Sequence, residues 1–468
     1  MLTRLIAAAL LALPSPLLAQ ALTPAQVDTI DAIVAKSLAD TGVPSASIAV
    51  VRGDRIVLAK AYGKQSETRK VADPAAPYQI ASISKQFTAA AILLLEDRGK
   101  LSLDDHVSKY IPGITDGDRV TIRQLLSHTS GLQDYWPQDY SFKAMATPVT
   151  PQQIVDRWAK KPLDFAPGTQ WQYSNTGYVV AGMIVEKVSG MPLLTFLQRN
   201  VFEPLDMTAL DQDLALGPKY PSGYGRYALG PVRVETPAAH GWLYAAGELS
   251  MSASDLAKWD IARLKRSVMP ADDWQVQETP VKLADGSTNG YGLGVSMGSR
   301  DGHRYVEHSG EAVGFLSENI VFPDDKIAIV VLTNSWFSDA FIRIARGIEK
   351  VVLPATDSAA TDANANTAAL TRARTVYDQL RGGALDRALL TEDANFYFTP
   401  TALADYRTSL AALGEPTDFR QVGTTRLRGG FVNRVYRVTY PDRILSISTY
   451  ALPGETGAFE QFLVAPAQ

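Results

Sequence analysis

A serine and a lysine three residues apart, Ser82 and Lys85, stand at the start of an apolar run, Phe87-Thr88-Ala89-Ala90-Ala91-Ile92-Leu93-Leu94-Leu95. On a helix this spacing puts both side chains on one face, so an amine can lie beside a hydroxyl. A serine hydroxyl is a weak nucleophile at neutral pH until a base within hydrogen-bonding reach takes its proton. Two further groups could complete such a site. Tyr173-Ser174-Asn175 lies where a loop leads into a helix expected from about Val179 to Val188, and His308-Ser309-Gly310 lies at the end of a strand expected over Arg304 to His308. Ser-x-x-Lys occurs once, and a chain of this size yields about one by chance, so the three groups carry meaning only together.

In this order the three groups resemble the penicillin-recognising serine hydrolases, in the class C β-lactamase and DD-carboxypeptidase branch that uses Tyr-x-Asn as its second motif. The resemblance covers about Leu22 to Val352 and takes in Leu126-Ser127-His128-Thr129-Ser130-Gly131-Leu132 and Pro167-Gly168. It implies an α+β fold of the β-lactamase/transpeptidase type, an antiparallel sheet flanked by helices, and acyl-enzyme chemistry that needs no cofactor and no metal. It also implies roles. Ser82 attacks the carbonyl, Lys85 and Tyr173 handle its proton, and Asn175 orients Lys85 and the substrate amide. His308, Ser309 and Gly310 line the substrate, and the backbone N–H groups of Ser82 and Glu311 form the oxyanion hole. Tyr173 could act as a phenolate or Lys85 as a neutral amine, and the sequence leaves both open.

The third motif departs from the β-lactamases, because His308 stands in place of lysine. A mostly neutral imidazole offers no permanent cation to a substrate carboxylate. That favours a DD-peptidase, D-aminopeptidase or esterase over a class C-like β-lactamase. The alternative of another class is a non-catalytic penicillin-binding or sensor protein.

The elements that must position these groups follow from periodicity. Thr23-Pro24 with Val27, Ile30, Ile33 and Val34 predicts a capped helix. Ser45 to Val51 and Ile56 to Tyr62 read as a hairpin around Arg52-Gly53-Asp54-Arg55. The Ser82 helix should stop near Gly99, and a capping pattern at Ser252 opens a helix that runs to about Leu264. Strands are expected over Tyr291 to Met297, Arg304 to His308, Phe315 to Phe322 and Ile327 to Leu332, so early and late segments close one antiparallel sheet with helices inserted. The aromatic stretch from Tyr135 to Phe142 reads as a loop that either walls a substrate site or packs on the body. Gly294-Val295-Ser296-Met297-Gly298 has nucleophile-elbow spacing, but a strand rather than a helix follows, and a glycine-rich hairpin is the better reading. His106, His128, His240 and His303 show no ligand spacing, so no catalytic metal is expected, and His128 reads as a stabiliser of a turn.

Residues 354–370 are poor in large apolar side chains and read as a linker between a hydrolase domain over 22–353 and a small α+β domain over 371–468. Helices are expected there over Thr371 to Leu380 and Thr401 to Leu413, followed by a four-stranded antiparallel sheet. At the other end, residues 1–21 read as a secretory signal, with Arg4, the apolar Leu5 to Leu13 and a small-x-small site at Ala19-Gln20-Ala21. A periplasmic or secreted protein without an integral membrane anchor is expected. The 468 residues carry a net charge of -4 and no cluster of Lys and Arg, which gives no footprint for nucleic acid and leaves a small molecule or peptide as substrate. The chain has no cysteine, which excludes disulfides, thiolate metal sites and cysteine nucleophiles. The sequence does not specify an oligomeric state.

Overall fold

Thr23 starts the first helix as its sequence requires: its hydroxyl accepts from the Gln26 N–H, the Gln26 side chain accepts from the Thr23 N–H, and Pro24 fills the first turn. The computed structural model describes residues 21–353, 367–454 and 457–467. Residues 1–20 of the expected signal and residues 354–366 of the expected linker lie outside the described residues.

In chain order the elements that build the first part are α1 (Pro24–Thr41), β1 (Ser45–Arg52), β2 (Arg55–Gly63), α2 (Lys85–Asp97), α3 (Asn175–Ser189), α4 (Ala253–Lys265), β3 (Ser296–Arg300), β4 (His303–Ala312), β5 (Phe315–Phe322), β6 (Ile327–Thr333) and α5 (Ala340–Val352). The strands form one six-stranded antiparallel sheet in the order β2-β1-β6-β5-β4-β3. Strand β1 pairs with β6 through Ala46↔Thr333 to Arg52↔Ile327, so the two ends of this part are joined at the middle of the sheet. Both strands are buried along nearly their whole length. Their alternating side chains feed two cores. Ile48, Val50, Ile329 and Val331 pack under α1 and α5, whereas Ala49, Val51, Val330 and Leu332 belong to the larger core that includes α2, α3 and α4.

Helix α2 runs through that larger core, and every residue from Lys85 to Leu95 is buried. Such a helix needs a partner for each polar side chain it carries inward. Gln86 finds four: its amide donates to Asn319 Oδ1 at 2.9 Å, its Oε1 accepts from Trp259 Nε1 at 3.1 Å and Arg263 at 2.8 Å, and its backbone carbonyl accepts from Gln277 at 3.0 Å. Asn319 in turn donates to both oxygens of Asp260, whose carboxyl is pushed up to about 7 by burial. This network ties α2 to α4 and to the sheet directly beneath Lys85.

Several expectations shift. The strand expected at Tyr291 begins instead at Ser296, because Tyr291–Val295 forms a tight turn, with Gly292 N–H donating to the Val295 carbonyl and Leu293 N–H to Gln277. Strand β4 continues to Ala312, so His308-Ser309-Gly310 lies inside a strand rather than at its end; pairing with β5 holds it there. Helix α3 starts at Asn175, earlier than its apolar pattern suggests, because the Ser174 hydroxyl caps Gly177 N–H. The Gly294 to Gly298 stretch leads into a β3–β4 hairpin.

The second part holds α6 (Thr367–Gly382), α7 (Pro400–Ala411) and the strands β7 (Asp418–Arg428), β8 (Phe431–Thr439), β9 (Ile444–Ala451) and β10 (Phe459–Pro466), in the order β7-β8-β9-β10. Helix α6 begins at Thr367, so the last residues of the expected linker are helical. One face of this sheet buries Tyr436, Val438, Ile447 and Val464 with Val376, Tyr377, Leu380, Tyr406 and Leu410 from the helices. Strand β10 reaches back to the aromatic loop, where Tyr140 donates to the Glu460 carbonyl at 2.6 Å, and Gln461 both accepts from Asp139 N–H and donates to its carboxylate. Among the described residues no single helix is long and apolar enough to cross a membrane.

The Gln86 hub predicts a specific stability loss. Gln86→Leu fills the space but strands Trp259 Nε1 and Asn319 Oδ1 in the core and leaves Arg263 Nη2 with Gln277 alone, at a cost of about 2–4 kcal/mol. Denaturation followed by tryptophan fluorescence should show that loss, and an unchanged midpoint would remove the hub from the account of α2 placement.

Candidate active site

Ser82 lies in a 3₁₀ turn, Ala81–Ser84, that runs directly into α2. Ala81 holds a left-handed φ of 51°, a conformation that costs a side-chain-bearing residue about 1 kcal/mol or more and that here turns the chain sharply before the serine. Lys85, the first residue of α2, is fully buried at 0% exposure. Its Nζ lies 3.0 Å from Ser82 Oγ and donates to Asn175 Oδ1 at 2.8 Å and to the Ala246 carbonyl at 2.7 Å. Burial holds its ammonium well below the usual lysine range; the Asp134 carboxylate opposes this and Arg428 adds to it.

Tyr173 lies across from Lys85, with Nζ 4.9 Å from its ring centre. Its hydroxyl is the hydrogen-bonding neighbour of Ser82, and burial pushes its pKa above the usual phenol value even though Ser82 and Arg428 pull it down. Asn175 opens α3 and is held twice by Asp134, whose Oδ1 accepts both its N–H and its side-chain amide at 3.0 Å. Ser82, Lys85, Tyr173 and Asn175, distant in sequence, are thus brought into one cluster.

The third motif lies on the opposite wall. His308 Nδ1 is 2.6 Å from the Ser309 carbonyl, which can only accept, so Nδ1 carries the proton; Nε2, 2.9 Å from Tyr291 Oη, accepts from the phenol. Burial, with Lys85 nearby, pushes His308 down to about 3, so the ring is neutral. Ser309 is exposed and Gly310 is buried. A Cβ at Gly310 would lie 2.1 Å from the Ile80 carbonyl oxygen, so only glycine lets β4 touch the backbone that leads to Ser82. The segments carrying the Ser82 and Glu311 N–H groups are therefore in contact, with Ser317 Oγ donating to the Ile80 carbonyl at 3.1 Å.

Four contributors lie outside the sequence reading. Asp134 anchors Asn175, Tyr291 fixes the His308 tautomer, Ala246 supplies a carbonyl to Lys85, and Arg428 enters from the second part of the chain. An acidic residue placed beside Tyr135-Trp136 was the one visible signal, since a carboxylate in an aromatic stretch needs a buried partner. His128 does more than hold a turn: its Nδ1 accepts from Ser174 N–H at 3.1 Å and its ring lies 4.2 Å from that of Tyr173. In the aromatic loop, Tyr135 and Phe142 pack on Trp242 of the body, while Trp136 lines the cleft and its Nε1 donates to the Tyr140 carbonyl. The cleft, of about 330 Å³, is lined by Ser82, Trp171, Tyr173, Arg428 and Tyr450. Asp139 and Glu311 stand between it and a cavity of about 560 Å³ at the junction of the two sheets.

Residues 30–352 match the sequence model of the family described as Beta-lactamase. Penicillin-binding protein 4* of Bacillus subtilis (strain 168) is 32% identical over 273 residues, 55% of this chain and 60% of that protein. Protein flp of Staphylococcus aureus (strain MRSA252) is 30% identical over 319 residues, 65% of this chain and 62% of that protein. The chain thus spans about three fifths of the length of these curated relatives. Among solved structures, a D-stereospecific amidohydrolase from Streptomyces sp. is 28% identical with a TM-score of 0.60, covering 70% of this chain and 99% of its own. The octameric penicillin-binding protein homologue from Pyrococcus abyssi shares the fold over 94% of this chain and 99% of its own, with a TM-score of 0.61 and 21% identity.

The neutral His308 has a consequence for stability. With an ordinary value of 6.5 and about 3 in the fold, it leaves the unfolded chain binding a proton that the folded chain refuses, so its contribution falls as pH drops below about 6.5. Relative to wild type, His308→Asn should therefore gain about 1.4 kcal/mol per pH unit between pH 6 and 4. Paired denaturation curves at those two values check this, and a constant difference would mean that the ring is charged.

Proposed function

The chain belongs to the β-lactamase family, and on that basis we propose that it is an exported serine hydrolase acting through an acyl-enzyme on peptide, amide or ester bonds, of the DD-peptidase, D-aminopeptidase or esterase type. The observation that carries the proposal is the fully buried Lys85 Nζ at 3.0 Å from Ser82 Oγ. Burial disfavours the charged form of both candidate bases, but with opposite results: it makes Lys85 easier to deprotonate and Tyr173 harder. Neutral Lys85 is accordingly the group that takes the Ser82 proton.

As the Ser82 Oγ–carbon bond forms, the proton passes to Lys85, and the carbonyl oxygen collects charge facing the Ser82 and Glu311 N–H groups. Collapse of the tetrahedral intermediate breaks the bond to the leaving group. The Tyr173 phenol gives that group a proton and recovers one from the Lys85 ammonium. Water then attacks the ester with the same groups running in reverse. Asn175 keeps Lys85 in place throughout.

The peptidase or amidase type is supported by the third motif, which presents a neutral ring, and by the likeness to the D-stereospecific amidohydrolase. The adjoining cavity of about 560 Å³ offers room for the rest of a peptide. The export reading rests on the charged, apolar and small-x-small pattern of residues 1–21.

Ser82→Ala should abolish both turnover and labelling by a fluorophosphonate or a fluorescent penicillin, and Lys85→Ala should cost about 10²–10⁴-fold in turnover. The substrates to run are nitrocefin, a D-Ala-D-Ala peptide, a D-amino-acid anilide and a nitrophenyl ester. Unchanged turnover by Ser82→Ala sinks the proposal, whereas rapid nitrocefin hydrolysis with fast deacylation makes the enzyme a class C-like β-lactamase.

A further inference from the structure

The residue that closes the hydrogen-bond network of the second motif comes from the far end of the chain. Arg428 ends β7, and Gly429-Gly430 turn the chain into β8. Gly429 has a φ of +58°, and a Cβ there would lie 2.7 Å from Pro137 Cβ, so this turn seats on the aromatic loop only as glycine. Seated there, Arg428 donates through Nε to Asp134 Oδ2 at 2.9 Å and through Nη2 to the Trp136 carbonyl at 3.0 Å. Its Nη1 lies 3.8 Å from Asp139, and its guanidinium carbon is 5.0 Å from the Tyr173 ring centre. The Asp134 side chain is 0% exposed and holds Asn175 through its other oxygen; Asn175 holds Lys85, and Lys85 reaches Ser82. An unbroken line of hydrogen bonds runs from the second sheet to the serine.

We propose that Arg428 is a positioning residue of the active site, fixing Lys85 against Ser82 through Asp134 and Asn175 and supplying the counter-charge that Asp134 needs beside the reacting groups. The second sheet is then a working part of the site. The inference rests on the acyl-enzyme reading above. A buried carboxylate stripped of its partner is costly and reorganises what it holds, which is why a charge so far from Ser82 in sequence matters to it.

The two charges act on the reacting groups in opposite senses. Asp134 favours the Lys85 ammonium and Arg428 disfavours it, while Arg428 favours a Tyr173 phenolate and Asp134 disfavours it. The other titratable groups facing this cluster are His128 and Tyr178 behind Tyr173, His308 and Glu311 on β4, Tyr291 against His308, Tyr135 and Asp139 on the aromatic loop, Asp164 near Asp134, and Tyr450 on β9. With Lys85 as the base, loss of Arg428 moves the working range to higher pH and loss of Asp134 moves it lower.

The test is the second-order rate of fluorophosphonate labelling as a function of pH, on the full chain, for wild type, Arg428→Gln, Arg428→Lys, Asp134→Asn and the double variant Arg428→Gln/Asp134→Asn. Arg428→Gln should raise the acid limb by about one pH unit and slow labelling about tenfold at pH 7. Arg428→Lys should recover part of the rate, Asp134→Asn should lower the limb, and the double variant should return it towards wild type. An unshifted limb in Arg428→Gln, or a loss equal at every pH that neither Lys nor the double variant relieves, overturns the inference. If Arg428→Gln does not fold, Arg428→Lys and the double variant carry the same comparison. Wild-type protein that takes no label overturns the acyl-enzyme reading and this inference with it; labelled wild type with an unshifted Arg428→Gln overturns this inference alone.

Discussion

A lysine with no access to water governs this architecture. Fully buried, Lys85 Nζ must find all its partners inside the protein, and it has three: as an amine it gives its two protons to Asn175 Oδ1 and the Ala246 carbonyl and keeps its lone pair for the Ser82 hydroxyl. Each partner imposes a demand elsewhere. Ser82 must precede Lys85 in a tight turn, which the left-handed Ala81 provides. Asn175 must open α3 at a fixed rotation, which Asp134 enforces through both its backbone and side-chain N–H groups. Ala246 must aim its carbonyl at α2, and the neighbouring bonds from Thr88 Oγ1 to the Ala245 carbonyl and from Leu249 N–H to Ser84 Oγ pin that segment to the same helix. The helix itself cannot drift, because Gln86 locks it to α4 and β5.

The second sheet meets this centre through a loop rather than directly. Residues 134–140 are gripped from one side by Arg428 and from the other by Glu460 and Gln461, so one aromatic loop is clamped between the β7–β8 turn and β10. The clamp holds the loop from two sides at the edge of the cleft. It also places Arg428 and Tyr450 on the wall of the cleft opposite His308. A wall built from the aromatic loop of the first part and from Arg428 and Tyr450 of the second forms only when the two parts have docked.

The groups legible in the sequence were those whose chemistry is local. Ser82 with Lys85, and Tyr173 with Asn175, sit at fixed spacing on one helix face or one helix start, and the β1–β2 hairpin and the caps at Thr23 and Ser252 rest on neighbours a few residues away. What escaped was set by tertiary contact. Tyr291 looked like a strand residue, yet the bond of its hydroxyl to His308, with the neighbouring Leu293 N–H bonded to the Gln277 carbonyl, takes this segment out of the sheet. Asp134 and Arg428 stand 294 positions apart, and no periodicity links them. The strand through His308 was shortened because Ser309-Gly310 is a poor strand sequence, while close packing on Ile80 is the reason the glycine is there. The start of α6 was hidden in a run of small and polar residues that resembles a linker in composition.

His308 shows how a neutral third motif can still be specific. Its two ring nitrogens are both committed, one as donor to the Ser309 carbonyl and one as acceptor from Tyr291, so a second proton would have to displace the phenol hydrogen bond beside Lys85. The ring therefore contributes shape and a fixed edge to the cleft, not charge. Charge enters from elsewhere, through Arg428 and Arg426 of the β7–β8 hairpin, while burial pushes the Asp139 and Glu311 carboxyls at the passage to the inter-sheet cavity upward, against their charged forms. In the proposed reaction, bond making is confined to Ser82, Lys85 and Tyr173, which the first part of the chain holds, while charged recognition falls to residues at the docking seam. A change in the hairpin could then alter which substrate is held without touching the acyl-transfer groups, provided the Arg428 link to Asp134 is kept.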